Sequence, residues 1–390
     1  MFMLPMPVLV AQLTPDQSLG VEQSIVIQDT ELGGELADLI DGGAIRGPNL
    51  FHSFSEFNID EGQRIYFGNP NTVDHIFSRV TGTNPSNIFG TLGVDGPANL
   101  FFMNPNGILF GETASLDIEG SFVGTTASSF QFSDGSEFNA SPDTDSGLLT
   151  VNVPLGLQYG PTPSGSTITN LGTLQTGQDF ELRGDLLNLQ GQLFSGGNLT
   201  LLGTDSVQIR DSVDNPFIAA SLDDLVVQGD RLVDIFALSH PDSGLYSGGD
   251  MVLRSANPVG GDAHYWSGGS FRIEELDNTL GNLESPNDPI IRAVGDVDLS
   301  GYLGTSLHIL AGGSVNAGVI VVTGPDIGTE GTDFLQETIE LSNGDTISID
   351  GSAEATVDIR AGVRQDAIGL PGLSGLSLFD FFIDLNGQLT

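Results

Sequence analysis

The chain contains no cysteine and no lysine: its eleven basic residues are all arginine, set against 51 aspartates and glutamates, for a formal net charge of -40. Without cysteine there can be no disulfide staple and no thiolate metal site. Without lysine there is neither a Walker-type phosphate lysine nor a Schiff-base lysine, and the acidic field repels nucleic acid and anionic membrane surfaces. Charged residues make up only 16% of the chain and apolar ones 39%, which is too apolar for disorder. No apolar run reaches the length of a membrane-spanning helix, so neither membrane insertion nor nucleic acid is expected.

Helical periodicity is missing as well. From Gln12 onward apolar residues recur at period two, and Gly, Asn or Asp interrupts every few positions. In "ASLDIEGSF", Ala114, Leu116, Ile118, Gly120 and Phe122 share one parity, while Ser115, Asp117, Glu119 and Ser121 share the other. One face is buried and one is wet. With 53 glycines in 390 residues, the chain is expected to be all-β with many short strands.

The second half repeats a glycine, a small polar residue and a short alternating strand: "GGNLTL", "QGDRLVDI", "GGDMVL", "GGSFRI", "VGDVDL" and "AGGSV". The glycines at 197, 229, 249, 269, 295 and 313 are spaced 32, 20, 20, 26 and 18 residues apart. Such spacing suits a single-stranded solenoid in which each β-coil stacks on the last, because a lone strand pair cannot bury its apolar face. Glycine is expected at the corners for tight turning, often with positive φ. At ~20 residues per coil, residues 15–370 would hold about 17 coils and form a rod of roughly 80 Å. Ser141 to Ser166, rich in Pro, Ser, Gly and Thr, reads as a loop or seam. The stretch "GLPGLSGLSLFDFFIDLNGQLT" breaks the pattern and is read as a cap or as the start of something longer.

Residues 1–11 form an apolar stretch of signal-peptide length without a basic leading region, and are read as a signal-peptide remnant. The turn "NPNG", Asn104 to Gly107, is a β-turn on chemistry alone: Asn first, Pro fixing φ second, Gly fourth.

Around that turn lie "RGPNLFHSFSEFNI", "IYFGNP", "IFSRVTGTNPSNIFGTLGVDGPANLFFMNPNGILFG" and "LDIEGSFVGTTASS". Together, over residues 12–160, they resemble the secretion domain of the filamentous haemagglutinin family, the exported partner in two-partner secretion, in the form found in photosynthetic Gram-negative bacteria. The resemblance implies a right-handed parallel β-helix with N-terminal capping strands. It also implies a partner, an outer-membrane barrel transporter with periplasmic soluble repeats, and secretion to the medium or cell surface through the periplasm. The family's secretion motif falls on Asn104, Pro105, Asn106, Gly107 and Ile108. Its upstream Asn-Pro motif falls either on Asn84-Pro85 or on Asn69-Pro70-Asn71. Residues 12–160 are then the secretion domain and 161–390 a continuing β-helical shaft for adhesion to a surface glycan or a receptor on a host or neighbouring cell.

Enzymatic chemistry is the competing class. Parallel β-helices also carry polysaccharide-cleaving sites made of clustered Asp and Arg. Asp223, Asp224, Asp296 and Asp298 with Arg254, Arg272 and Arg292 could provide one if they share an exposed face. Carboxylates recurring in most coils read instead as a solvated coat, so the chain is expected not to be an enzyme. The histidines at 52, 75, 240, 264 and 308 show no metal-ligand spacing, and neither metal nor cofactor is expected. The single tryptophan, Trp266, with Tyr265 beside it, is the candidate glycan contact.

Overall fold

The computed structural model describes residues 12–141, 157–326, 336–340 and 344–368. The signal-peptide reading of 1–11 and the capping reading of the final stretch lie outside these residues. The described chain is built almost wholly of strands, with one 3-10 turn at Gly20–Glu22 and one helical turn at Gln365–Ile368.

Each coil supplies up to three short strands, and equivalent strands of successive coils pair in parallel to make a three-faced β-helix. The first face carries one inward column: Leu50, Ile76, Leu100, Phe122, Phe180, Leu199, Leu225, Met251, Phe271, Val297 and Val315. Every member up to Val297 is buried. The second face stacks Leu174, Leu193, Ala219, Leu245, Tyr265, Ile291, Ile309 and Ile359. The third runs through Ile108, Ile168, Leu187, Val207 and Val233. Apart from the exposed Ile359 at the end of the second, these columns merge into one continuous core. The period-two alternation is therefore real, but "ASLDIEGSF" is not one strand: Ser115–Asp117 and Phe122–Thr125 lie on different faces with a corner between them.

Eleven strands on the first face set a rod of roughly 50 Å at ~4.8 Å per step. The expected 17 coils are not reached because coils run longer than 20 residues in places and because, among the described residues, the chain twice leaves the helix. The first excursion builds a small antiparallel sheet from Ser129–Gln131, Glu137–Asn139 and Gln158–Tyr159. Stacking nevertheless continues past it, since Phe122 pairs with Phe180 and Phe110 with Asn170. The second excursion is the hairpin Gln336–Glu340 with Thr346–Asp350.

The small sheet explains an outward column that parity alone would leave wet. Phe51, Phe77 and Phe101 stack ring on ring, with centroids 5.3 and 4.5 Å apart, and Phe130, Phe132 and Phe138 cover them. Burying a side chain of this size contributes about 1.5–3 kcal/mol, so the cover is a second core and not a decoration.

At the N-terminal end the parallel stack is closed by antiparallel strands. Leu13–Pro15 and Ala44–Arg46 pair with Asn49–Phe57, and the hairpin Ser24–Leu32 with Glu35–Gly42 adds to Arg64–Gly68 in a five-stranded sheet. Arg79 ties this cap down. It donates to Ser18, Ser53 and the Asn139 carbonyl and lies 4.3 Å from the Phe138 ring centroid. Burial lowers its pKa to about 10 against the opposing pull of Asp16.

The recurrent corner glycines have a different cause from the one expected. Gly229 belongs to another corner, and the residue in register is Asp223, since amides and carbonyls link 197, 223, 249, 269, 295 and 313 in order. None of these corner glycines has a positive φ. The first glycine of each Gly-Gly pair touches the coil below: a Cβ on Gly248 would lie 2.0 Å from the Leu222 carbonyl oxygen. The second clears a side chain: a Cβ on Gly249 would lie 2.3 Å from Asp224 Oδ1. That side chain belongs to a ladder. Asp179, Asn198, Asp224, Asp250, Ser270 and Asp296 each accept a hydrogen bond from the backbone N–H of the next coil, at 2.7–3.2 Å.

Candidate functional site

The Asn104 corner joins strand Asn99–Met103 on the first face to Ile108–Phe110 on the third. The turn closes with the Gly107 N–H donating to the Asn104 carbonyl at 3.1 Å. Gly107 has φ +121°, and a Cβ there would sit 3.0 Å from the Thr167 carbonyl oxygen, so both conformation and space require glycine.

Asn104 is fully buried. Its Nδ2 donates to the Asn84 carbonyl and to Ser86 Oγ, both at 3.0 Å. Its Oδ1 accepts from the Asn106 N–H at 3.0 Å and from Asn106 Nδ2 at 3.1 Å. The amide's donors and acceptor are thus all used, a set that neither aspartate nor serine can reproduce. The backbone N–H of Asn104 donates to Thr125 of the next coil at 3.0 Å, while Asn106 reaches back to the Gly82 carbonyl at 2.9 Å. Ile108 is buried, in register with Ser86 below and Ile168 above. Three successive coils are fastened at this one turn.

Of the two upstream Asn-Pro pairs, Asn84-Pro85 lies directly beneath the motif. The Asn84 carbonyl is the Asn104 acceptor, and the exposed Asn84 side chain donates to Glu56 at 2.7 Å. Asn69-Pro70-Asn71 occupies a different corner, between strands Arg64–Gly68 and His75–Val80. There Asn69 behaves as Asn104 does: Nδ2 donates to the Val73 carbonyl at 2.8 Å and Oδ1 accepts from the Ala98 N–H of the next coil at 3.1 Å. Pro70 and Asn71 are exposed. Sequence reading left out Ser86 and Thr125, because their part depends on which coils stack. It also left out Arg79, whose signal is an arginine inside the apolar run "IFSRV".

The candidate glycan contacts are inside the fold. Tyr265 belongs to the inward column, and Trp266, 8% exposed, packs with Phe194, Ile218 and Tyr246. The acidic and basic residues considered for polysaccharide cleavage gather only in part: Arg254, Arg272 and Asp298 share the first face, and the other four stand elsewhere. Asp223, Asp224 and Asp296 lie at the ladder corner, Arg292 stands on the second face, and Arg254 and Arg272 on the first. Both of those arginines pair with Glu274, at 2.6 and 2.9 Å, and Arg272 also reaches Asp298 at 3.6 Å. Among the described residues no group of three His, Cys, Asp or Glu is arranged to hold a metal.

A family model described as the TPS secretion domain matches residues 11–273. Among solved structures, the filamentous hemagglutinin secretion domain aligns at 16% identity over 80% of this chain and 100% of its own, with a TM-score of 0.41. The HMW1 secretion domain from Haemophilus influenzae aligns at 15% identity over 78% of this chain and 83% of its own, with a TM-score of 0.37. No curated protein matches.

Proposed function

The chain belongs to the TPS secretion-domain family, and from that premise we propose that it is delivered across the outer membrane by a cognate barrel transporter whose periplasmic soluble repeats recognise residues 12–160. The match over residues 11–273, which brackets the Asn104 corner, is the observation that carries this reading. Residues 161–390 then serve as a shaft for surface contact or adhesion.

The mechanism follows from the stacking. An unfolded chain without disulfides threads a barrel freely, and each coil that emerges finds a finished coil with its strand edges and its corner acceptor ready. Pairing outside withdraws the emerged chain from the translocating population, so folding biases direction without ATP at the outer membrane. In this reading the Asn104 motif acts by making the first coils fold correctly, and the exposed Asn84, Pro70 and Asn71 are the parts left free to be touched.

Co-expression with a matched outer-membrane barrel tests it. The chain is expected in the culture medium only when the barrel is present, and an Asn104→Ala, Pro105→Ala double variant is expected to stay in the periplasm. Equal export without the barrel would overturn the proposal.

A further inference from the structure

Near residue 273, where the family match ends, the last coils hold a buried group of histidines and carboxylates, His308 chief among them. His308 stands on strand Leu307–Ala311, in register with Ile290 below and Asp358 above, and His264 lies below Ile290 in the same column. His308 is fully buried; its Nδ1 is 3.4 Å from Asp358 Oδ2 and its Nε2 is 3.6 Å from Asp326 Oδ2. Asp326 follows strand Val319–Val322, where the chain leaves the helix. Asp358 is on strand Val357–Arg360, where it returns. Between the two lies the hairpin Gln336–Glu340 with Thr346–Asp350. Gly351 closes the site so tightly that a Cβ there would lie 2.4 Å from His308 Nε2.

The other facing groups are Asp288, fully buried and 3.8 Å from His264 Nε2, Asp262, and Tyr302. Asp262 is satisfied by Ser285 and Asn287, Asp358 by Arg360 at 2.7 Å, and the Tyr302 hydroxyl donates to the Ser285 and Thr305 carbonyls. Neither oxygen of Asp288 or of Asp326 has a hydrogen-bond partner. Buried carboxylates in that condition require a cation or a proton. For Asp326 the side chain placed to supply that charge is the His308 ring, 3.6 Å away.

We propose that protonated His308 is a clasp that fastens both ends of the hairpin excursion, through Asp326 and Asp358, onto the last coils, and that loss of its proton opens them. Burial disfavours the charged ring, but the Asp326 and Asp358 carboxylates, with Asp288 behind them, outweigh it and raise its pKa from 6.5 to about 9. A raised histidine gives stability that is complete below 6.5 and is lost as pH climbs through about 9. Asp326 is pushed up, by burial first and then by Asp288, which has the same sign. The carboxylate of Asp358 is held below its ordinary value: burial opposes this, and His308 and Arg360 overcome it. Its share of stability is lost only in acid. The clasp is therefore closed at neutral pH and opens on the alkaline side.

Hydrogen exchange of the full chain, corrected for intrinsic rates, tests this from pH 6.5 to beyond about 9. Protection in Leu307–Ala311 and Val357–Arg360 should fall about tenfold per pH unit between 6.5 and about 9, where the closed ring keeps its proton and the opened ring does not, and level off above that, while interior strand Leu225–Gly229 keeps its protection. His308→Gln should remove the step and leave the end coils open at neutral pH. Asp326→Asn, which keeps the shape and removes one carboxylate, should move the step to lower pH and so covers the case in which His308→Gln does not fold. An end-coil profile parallel to that of the interior strand, or a step unmoved in Asp326→Asn, would overturn the clasp.

Discussion

Replacing Asn104 by alanine separates a structural motif from a contact motif. The substitution removes two hydrogen bonds donated inside the fold, to the Asn84 carbonyl and Ser86 Oγ, and the acceptor used by Asn106. Two buried bonds at about 1 kcal/mol each, and about 1 kcal/mol for the orphaned Asn106 amide and the loosened turn, give about 3 kcal/mol. That corresponds to a factor on the order of a hundred in the local opening equilibrium. Hydrogen exchange read at the amides of Ser86, Asn106 and Gly107 should show this loss, with little change at Leu225–Gly229, because a solenoid transmits stability only between neighbouring coils. Asn104→Asp keeps the acceptor for Asn106 but loses both donated bonds and buries a charge, so it should open at least as readily as alanine. Asn106→Ala, at an exposed position, should cost about 1 kcal/mol or less. The reasoning fails if Asn104→Ala exchanges like the parent chain yet is no longer exported, for then the side chain would act by direct contact, which its burial is taken to forbid.

Two further outcomes follow from the stacking. Gly248→Ala places a methyl 2.0 Å from a backbone oxygen that cannot move aside, and should destabilise its coils by about 1–3 kcal/mol. Gly324→Ala, with nothing within 4 Å, should be close to neutral in the same urea titration, and equal midpoints for the two would refute the close-approach account. Trp266→Ala empties a packed position and should cost about 3–5 kcal/mol. A variant that keeps its midpoint but loses a glycan-array signal would make Trp266 a binding platform instead.

Much of this protein is legible one coil at a time. Period-two alternation, glycine-led corners and the missing helical pattern specify short strands that must stack, because those features depend on residues within a few positions of each other. The β-turn at Asn104 could be read from its own four residues. The resemblance over 12–160 pointed to the family that the match over 11–273 establishes.

Stacking partners are another matter, because register depends on the lengths of all the coils between. Gly229 looked equivalent to its neighbours in the repeat, yet Asp223 holds that place. The outward column of Phe51, Phe77 and Phe101 was wet by parity, and only the sheet of the first excursion buries it. Asn104 gains its importance from Asn84 and Ser86, a coil away. His264, Asp288, His308, Asp326 and Asp358 are scattered over almost a hundred residues of sequence and meet only because successive coils lie ~4.8 Å apart. Local pattern determined that this chain would wind and stack. Which side chains then face one another across the stack was decided by coil length and by the two excursions, and those distances exist only in the folded rod.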